Sequence, residues 1–339
     1  MIQPKHILIS RTDSIGDVIL TLPLCAAIKE LYPHCKLTFL GKTYTKDVIS
    51  SFESVDDFLD WSELEKCSDV QAIEFLKGKK FDTLIHVFPN KRIGQLMKKA
   101  GVKNRIGTSH RLHHWFTCNI RPSFTRKNSP LHESQLNFKL AQPIGLLHTP
   151  TIEEVASYTR FFNPQTIALP SFIEEFIKQE GKYFLLHPKS QGSALEWPIE
   201  KYMELANKLV QQGHKVIFTG TDGEGLKFRS IIPTNPSIID STGHLSLQQL
   251  IFLIQQSNGL VACSTGPLHI AAFSGTTAVG LFSSRKPIHP GRWQPIGKNA
   301  TALVNDPTCE KCAAGKDCKC IELIEVEQVY KELIGGAIH

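Results

Sequence analysis

The chain alternates short apolar runs with longer stretches of helical period. In the first half the runs are HILIS (6–10), KLTFL (36–40), FDTLIHVF (81–88) and KNRIG (103–107). A helix is expected from about residue 16 to 31, and another helical stretch after KLTFL. Apolar runs of five or so residues, rich in branched side chains and separated by helices, are the pattern of strands buried on both faces of a parallel sheet. The second half restarts the same grammar with KYFLLHP (182–188), KVIFTG (215–220), SIID (237–240), GLVAC (259–263) and TTAVGLF (276–282). Helices are expected at about 199–211, after Gly225, over LSLQQLIFLIQQ (245–256), at about 266–273 and near the C-terminus. Between about 148 and 172 the pattern breaks up around Pro150, Pro164 and Pro170, which marks a boundary. The expectation is two Rossmann-like, doubly wound α/β domains, 1–160 and 161–339, whose strand-end loops line a shared cleft.

Composition narrows the class. A chain of 339 residues, 41% hydrophobic and 21% charged, has ordinary globular proportions and the length of two domains. It contains no apolar run long enough to span a bilayer, and the start lacks the pattern of a secretory leader. A cytoplasmic protein is therefore expected. The net charge of +6 is unevenly spread. Lys91, Arg92, Lys98, Lys99, Lys103, Arg105, Arg111, Arg121, Arg126 and Lys127 form one basic block, with His110, His113 and His114 among them. Such a block suits phosphate, an acidic sugar or an anionic membrane surface, or is simply a solvated face. No nucleic-acid module or base-stacking motif accompanies it, so nucleic acid is not an expected partner.

The candidate chemistry sits in loops that follow strands. STGPLHIAAFSG (264–275) leaves the GLVAC strand through Ser264, Thr265, Gly266 and Pro267 and opens a helix. A small-residue turn at a helix start presents backbone N–H groups and the positive dipole end, which together favour an anion. His269, in the first turns, either contacts that anion or bonds locally. HPKSQGSALEWP (187–198) offers Lys189 and Ser190 in a flexible loop suited to a diphosphate. TGTDGEG (219–225) offers Asp222 and Glu224 as acceptors for sugar hydroxyls. RTDSIGDVILTLP (11–23) lacks the glycine spacing of a dinucleotide fingerprint and the lysine of a P-loop. Its carboxylates are Asp13, which caps the helix or pairs with Arg11, and Asp17, which is either a general base or a charge at a helix start.

These loops, taken in order with PIHPGRWQPIG (287–297), resemble glycosyltransferase family 9, the ADP-heptose:lipopolysaccharide heptosyltransferase group, over nearly the whole chain. The resemblance implies a GT-B fold with two facing domains, the first holding acceptor and the second nucleotide sugar. It implies that Asp17 removes the acceptor hydroxyl proton and that the sugar is transferred with inversion, with no cofactor or divalent metal needed for catalysis. Donor contacts would come from Lys189, Ser190, Glu224, Ser264, Thr265, Gly266, Pro267 and His269. Acceptor contacts would come from Asp13, Gly16, Lys91, Arg92, Arg105 and Arg111. The implied partners are a nucleotide-diphosphate sugar and an anionic glycolipid, met at the inner face of the inner membrane. Two positions depart from the family pattern: Ser264 stands where heptosyltransferases carry Asp, and Leu195 and Glu196 stand where many carry Lys or Arg. The alternatives are an epimerase-like enzyme of the same architecture, or a noncatalytic protein that binds nucleotide sugar or a membrane surface.

Cys309, Cys312, Cys318 and Cys320 form a CxxCxxxxxCxC cluster, the remaining five cysteines being scattered. Four thiolates in so short a segment suit a structural zinc ion; free thiols are the other reading, and catalysis is not expected of them.

Overall fold

The buried runs form two separate parallel sheets. The structure, a computed structural model, describes residues 2–127 and 129–335; the outer ends of both expected domains lie outside them. The chain divides into two compact units, Met1–Asn163 and Pro164–His339. In the first, β1 (His6–Ser10), β2 (Lys36–Gly41), β3 (Asp57–Asp60), β4 (Thr83–His86) and β5 (Asn104–Ile106) pair in the order β3-β2-β1-β4-β5. In the second, β6 (Tyr183–His187), β7 (Lys215–Phe218), β8 (Ile238–Asp240), β9 (Gly259–Cys263), β10 (Ala278–Phe282) and β11 (Ala300–Val304) pair in the order β11-β10-β9-β6-β7-β8. All these pairings are parallel. The winding direction reverses between β1 and β4 in one sheet and between β6 and β9 in the other. Beyond the carboxyl ends of strands at such a reversal, an open α/β sheet leaves a crevice for ligand.

Two edge strands, β3 and β11, were not expected from the apolar pattern. β3 reads DFLD, an interrupted run that a wholly buried strand would not carry. The helix expected over 16–31 is two helices, Ile15–Ile19 and Leu22–Leu31. Pro23 has no N–H to give the Ile19 carbonyl, so the helix restarts, with Thr21 N–H donating to the Val18 carbonyl at 2.9 Å and Leu24 N–H to the Thr21 carbonyl at 3.1 Å. The break turns the loop after β1 into a short, separately held helix that carries Asp17.

In the second unit, Trp197 and the helix Ile199–Gln211 pack Tyr202, Leu205 and Leu209 against Phe184 and Val261 of the sheet and Val329 and Leu333 of the helix Val326–Gly335. Each such side chain contributes about 1.5–3 kcal/mol when fully buried. The Trp197 indole satisfies its N–H by donating to the Ile324 carbonyl at 3.0 Å. Among the described residues, no helix is long and apolar enough to cross a membrane.

Candidate functional site

Each unit gathers polar side chains at its own reversal point. In the first, β1 ends at Ser10 and is followed by Arg11, whose buried guanidinium is the hub of the loop. Its Nε donates to Asp13 Oδ1 at 2.7 Å, its Nη1 to Glu133 Oε1 at 2.9 Å, and its Nη2 to Asp17 Oδ1. Ser14 Oγ donates to the other oxygen of Asp17. Glu133 lies on the helix Glu133–Phe138 and also accepts from Arg126. One turn on, Asn137 accepts from Arg126 at 3.0 Å and donates to the Leu20 carbonyl and Thr21 Oγ1, both at 3.1 Å. That helix therefore braces the break created by Pro23.

This cluster sets three carboxylates, Asp13, Asp17 and Glu133, against two guanidiniums, Arg11 and Arg126. One negative charge is left over. Burial pushes the Asp13 carboxyl up to about 6, Arg11 opposing and the Asp17 charge adding to the rise. Burial alone would lower the Arg11 pKa, but the carboxylates of Asp17, Asp13 and Glu133 outweigh it and raise it. Arg11 stays charged, and Asp17 is held between it and Ser14 with its side chain 17% exposed.

At the end of the neighbouring β4, His86 sits in register with Ser10, and its Nδ1 bonds to Ser10 Oγ at 2.8 Å. His86 Nε2 lies 3.0 Å from the Asn90 backbone nitrogen and 3.1 Å from the Asn90 carbonyl oxygen, so both ring nitrogens have polar neighbours. Burial, with His114 and His113 nearby, lowers the His86 pKa to about 3. His114 falls to about 4, burial outweighing its bond to the Thr108 carbonyl. Nε2 of both His113 and His114 is buried with no hydrogen-bond partner.

The basic block divides by function. Arg92 donates to the carbonyls of Glu65 and Cys67, both at 2.6 Å, and to Asp69 at 3.2 Å. Arg105 donates to the carbonyls of Thr117, at 2.8 Å, and Val102. Both guanidiniums therefore fasten their own domain, while Lys91 and Arg111 are exposed. Leu112, Trp115 and Phe116 stand exposed beside them at 80%, 57% and 70%.

In the second unit, the loops after β6 and β9 meet the same condition. Glu196 organises the first: its Oε2 accepts from Lys189 Nζ at 2.9 Å, and its Oε1 accepts from Ser190 N–H at 2.9 Å and Ser190 Oγ at 3.1 Å. Partial burial of the Glu196 carboxyl is outweighed by these donors, which lower its pKa. The cation of Lys189 is thus positioned by Glu196. After β9, Thr265 occupies the N-cap of the helix Gly266–Phe273 in extended backbone (φ −133°, ψ 165°), and its side chain makes no capping bond. Thr265 Oγ1 is buried without a partner. Ser264, Gly266 and Pro267 are half-buried around it, and His269 is buried one turn in.

Glu224 has a local task. Its Oε2 accepts from Thr221 N–H at 2.7 Å and Thr221 Oγ1 at 2.9 Å, closing a capping box at the four-residue helix Asp222–Gly225. Asp222 pairs with Arg229 at 3.1 Å. The four clustered cysteines lie apart from the loops after β6 and β9 in sequence, between β11 and the helix Val326–Gly335, with all four sulfurs within 4.8 Å of one another. The backbone N–H of Cys312, and then the thiols of Cys320 and Cys318, pull the Cys309 pKa down to about 7.

Arg11, Asp13 and Asp17 are legible in the sequence, and Arg126 and His114 fall within its basic block, but Glu133, Asn137 and the Ser10–His86 bond are not. Glu133 and Asn137 stand four apart in a segment that carries no strand-end signal, and only the tertiary fold brings that segment to β1.

Comparison with known proteins agrees with this architecture. Residues 73–321 match glycosyltransferase family 9 (heptosyltransferase). A candidate glycosyltransferase of Haemophilus influenzae is 25% identical over 97% of this chain and 96% of its own length. The lipopolysaccharide core heptosyltransferase OpsX of the same organism is 27% identical over 84% and 81%. Among solved structures, a family 9 glycosyl transferase from Veillonella parvula superposes with a TM-score of 0.82 at 21% identity, over 100% of this chain and 99% of that one. The chain belongs to glycosyltransferase family 9 and is a glycosyltransferase, built from the two parallel-sheet domains of the GT-B fold.

Proposed function

We propose that the enzyme moves heptose, or a related sugar, from ADP-heptose to the core of a lipopolysaccharide or a similar anionic glycolipid, with inversion and without a catalytic metal. The observation that carries the donor assignment is the Thr265 hydroxyl, buried and unpartnered at the start of an eight-residue helix, at the sheet's reversal point. A phosphate oxygen placed there would accept from that hydroxyl and from first-turn N–H groups, which have no partners within the helix. Lys189, held by Glu196, adds a cation. Solved relatives of this fold include an E. coli heptosyltransferase, WaaC, with ADP, at 17% identity and a TM-score of 0.73.

In the proposed reaction the Asp17 carboxylate accepts the proton of the acceptor hydroxyl. That oxygen bonds to the anomeric carbon as the bond from this carbon to the diphosphate oxygen breaks, and the electron pair leaves with ADP. Arg11 and Ser14 fix the carboxylate's orientation, and the helix dipole with Lys189 meets the charge growing on the diphosphate in place of a divalent metal. Arg92 and Arg105 serve the fold, and Lys91 and Arg111 remain for acidic groups of the acceptor. Exposed Leu112, Trp115 and Phe116 beside these cations suit the interface of an anionic membrane.

The test is product analysis by mass spectrometry with ADP-, GDP- and UDP-sugars, using heptose-deficient lipopolysaccharide as acceptor. The proposal expects ADP release and an acceptor heavier by one sugar. Epimerised nucleotide sugar without acceptor modification, or binding without turnover, would overturn it. Sedimentation with anionic vesicles should weaken with salt, and further in a Trp115→Ser, Phe116→Ser variant.

A further inference from the structure

The stretch 305–319 that follows β11 contributes little to the apolar core. From 305 to 319 the one buried residue is Cys312. Its regular structure is the four-residue helix Glu310–Ala313. Fixing the backbone of a residue costs about 1–2 kcal/mol, and this stretch has no hydrophobic burial of matching size. What it has is four cysteine sulfurs converging from two short arms.

Cys309 and Cys312 flank the first turn of that helix, closed by Ala313 N–H donating to the Cys309 carbonyl at 3.0 Å. Gly315, at φ +68°, then reverses the chain with its N–H on the Cys312 carbonyl at 3.0 Å, a left-handed position that suits glycine. The return arm delivers Cys318 and Cys320. The Cys318 sulfur lies 3.4 Å from that of Cys309 and 2.9 Å from that of Cys320, and none of the four is disulfide-bonded. A zinc ion bound by thiolates at about 2.3 Å requires four sulfurs about 3.8 Å apart at tetrahedral corners. A shift of an ångström or less brings the observed pairs there.

We propose that Cys309, Cys312, Cys318 and Cys320 bind one zinc ion. Four thiolates fill the tetrahedron and leave no position for water or substrate, so the ion is structural. Its effect on the fold follows from what the two arms carry. Cys320 leads directly into Ile321, Ile324 and Val326, which belong to the core around Trp197 and Tyr202. Upstream, the Asp306 carbonyl accepts from Ser284 Oγ at 2.6 Å, and Asp317 pairs with Arg285 at 3.7 Å. The ion therefore fastens the C-terminal helix and the loop after β10 to one knuckle.

The full-length protein, purified under reducing conditions without added metal, should contain one zinc per chain by plasma mass spectrometry. Thiol titration of the native protein should release that zinc as thiols react. Cobalt exchanged into the site should show the visible d–d absorption of a tetrahedral tetrathiolate, a readout independent of activity. Cys318→Ser should lose the metal and that absorption, whereas Cys67→Ser, whose sulfur lies in the other unit, should keep both. If Cys318→Ser fails to fold, chelation of the wild type followed by zinc addition replaces it, with an expected fall and recovery in Tm. Zinc well below one per chain, stoichiometric iron in its place, or cobalt without tetrahedral absorption would overturn the assignment.

Discussion

Replacing Thr265 by valine separates a binding role from a structural one, because the two predict opposite signs. Valine keeps the branched shape and tolerates the extended backbone of this position, and no capping bond is lost. What disappears is a buried hydroxyl without a partner. In the free enzyme, leaving such a group unsatisfied costs about 1–3 kcal/mol, so its removal should stabilise. For a domain of this size that is a rise in Tm of roughly 2–4 °C for each kcal/mol. In the proposed ADP complex the hydroxyl would donate to a charged oxygen, a bond worth about 1.5–3 kcal/mol. Its loss should weaken ADP binding by about tenfold to about a hundredfold. Differential scanning fluorimetry without ligand and titration calorimetry with ADP give the two numbers, and Thr265→Ser, which restores the hydroxyl, should return the affinity. A Thr265→Val enzyme that is less stable without ligand and binds ADP as before would refute the reasoning.

Two further predictions concern the first unit. The His86 pKa lies near 3 in the fold against about 6.5 unfolded, so below pH 6.5 the unfolded chain takes up a proton that the folded chain refuses, and stability falls with pH. Between pH 8 and pH 5 this amounts to about 2 kcal/mol, and urea unfolding of His86→Gln beside the wild type should show the variant spared that loss. Removing the Arg11 guanidinium by Arg11→Met takes a shared cation from Asp13, Asp17 and Glu133 and should cost about 3–5 kcal/mol in urea unfolding, partly recovered by adding Asp13→Asn. A cost below about 1 kcal/mol would show that the cluster does not need its hub.

The sequence was most legible where burial dictates composition. Runs such as GLVAC and AVGLF are apolar throughout because helices cover both faces of a parallel sheet, and they mark central strands. The edge strand DFLD has one exposed flank and loses that signature, so it is visible only through its pairing with β2. The helix Gly266–Phe273 lies at the expected residues because cap, glycine and proline are adjacent signals. The helix over 16–31 was misjudged because its apolar pattern runs on through Thr21, whereas Pro23 breaks the hydrogen-bond ladder. Asp17 and Thr265 were legible as candidates because each follows a strand. Arg92, Arg105 and Glu224 looked available for ligand as bare charges, but backbone groups within bonding distance occupy them, and composition carries no trace of such local bonds.

The central claim is that Asp17 is the base, and steady-state kinetics of Asp17→Asn with donor binding measured in parallel tests it most directly. Asparagine keeps the size and the contact with Ser14 but cannot take a proton. The account predicts ADP affinity unchanged within about twofold and kcat lower by about 10²- to 10⁴-fold, the range for loss of a general base. Near-normal kcat in Asp17→Asn, with turnover lost in Asp13→Asn instead, would contradict it.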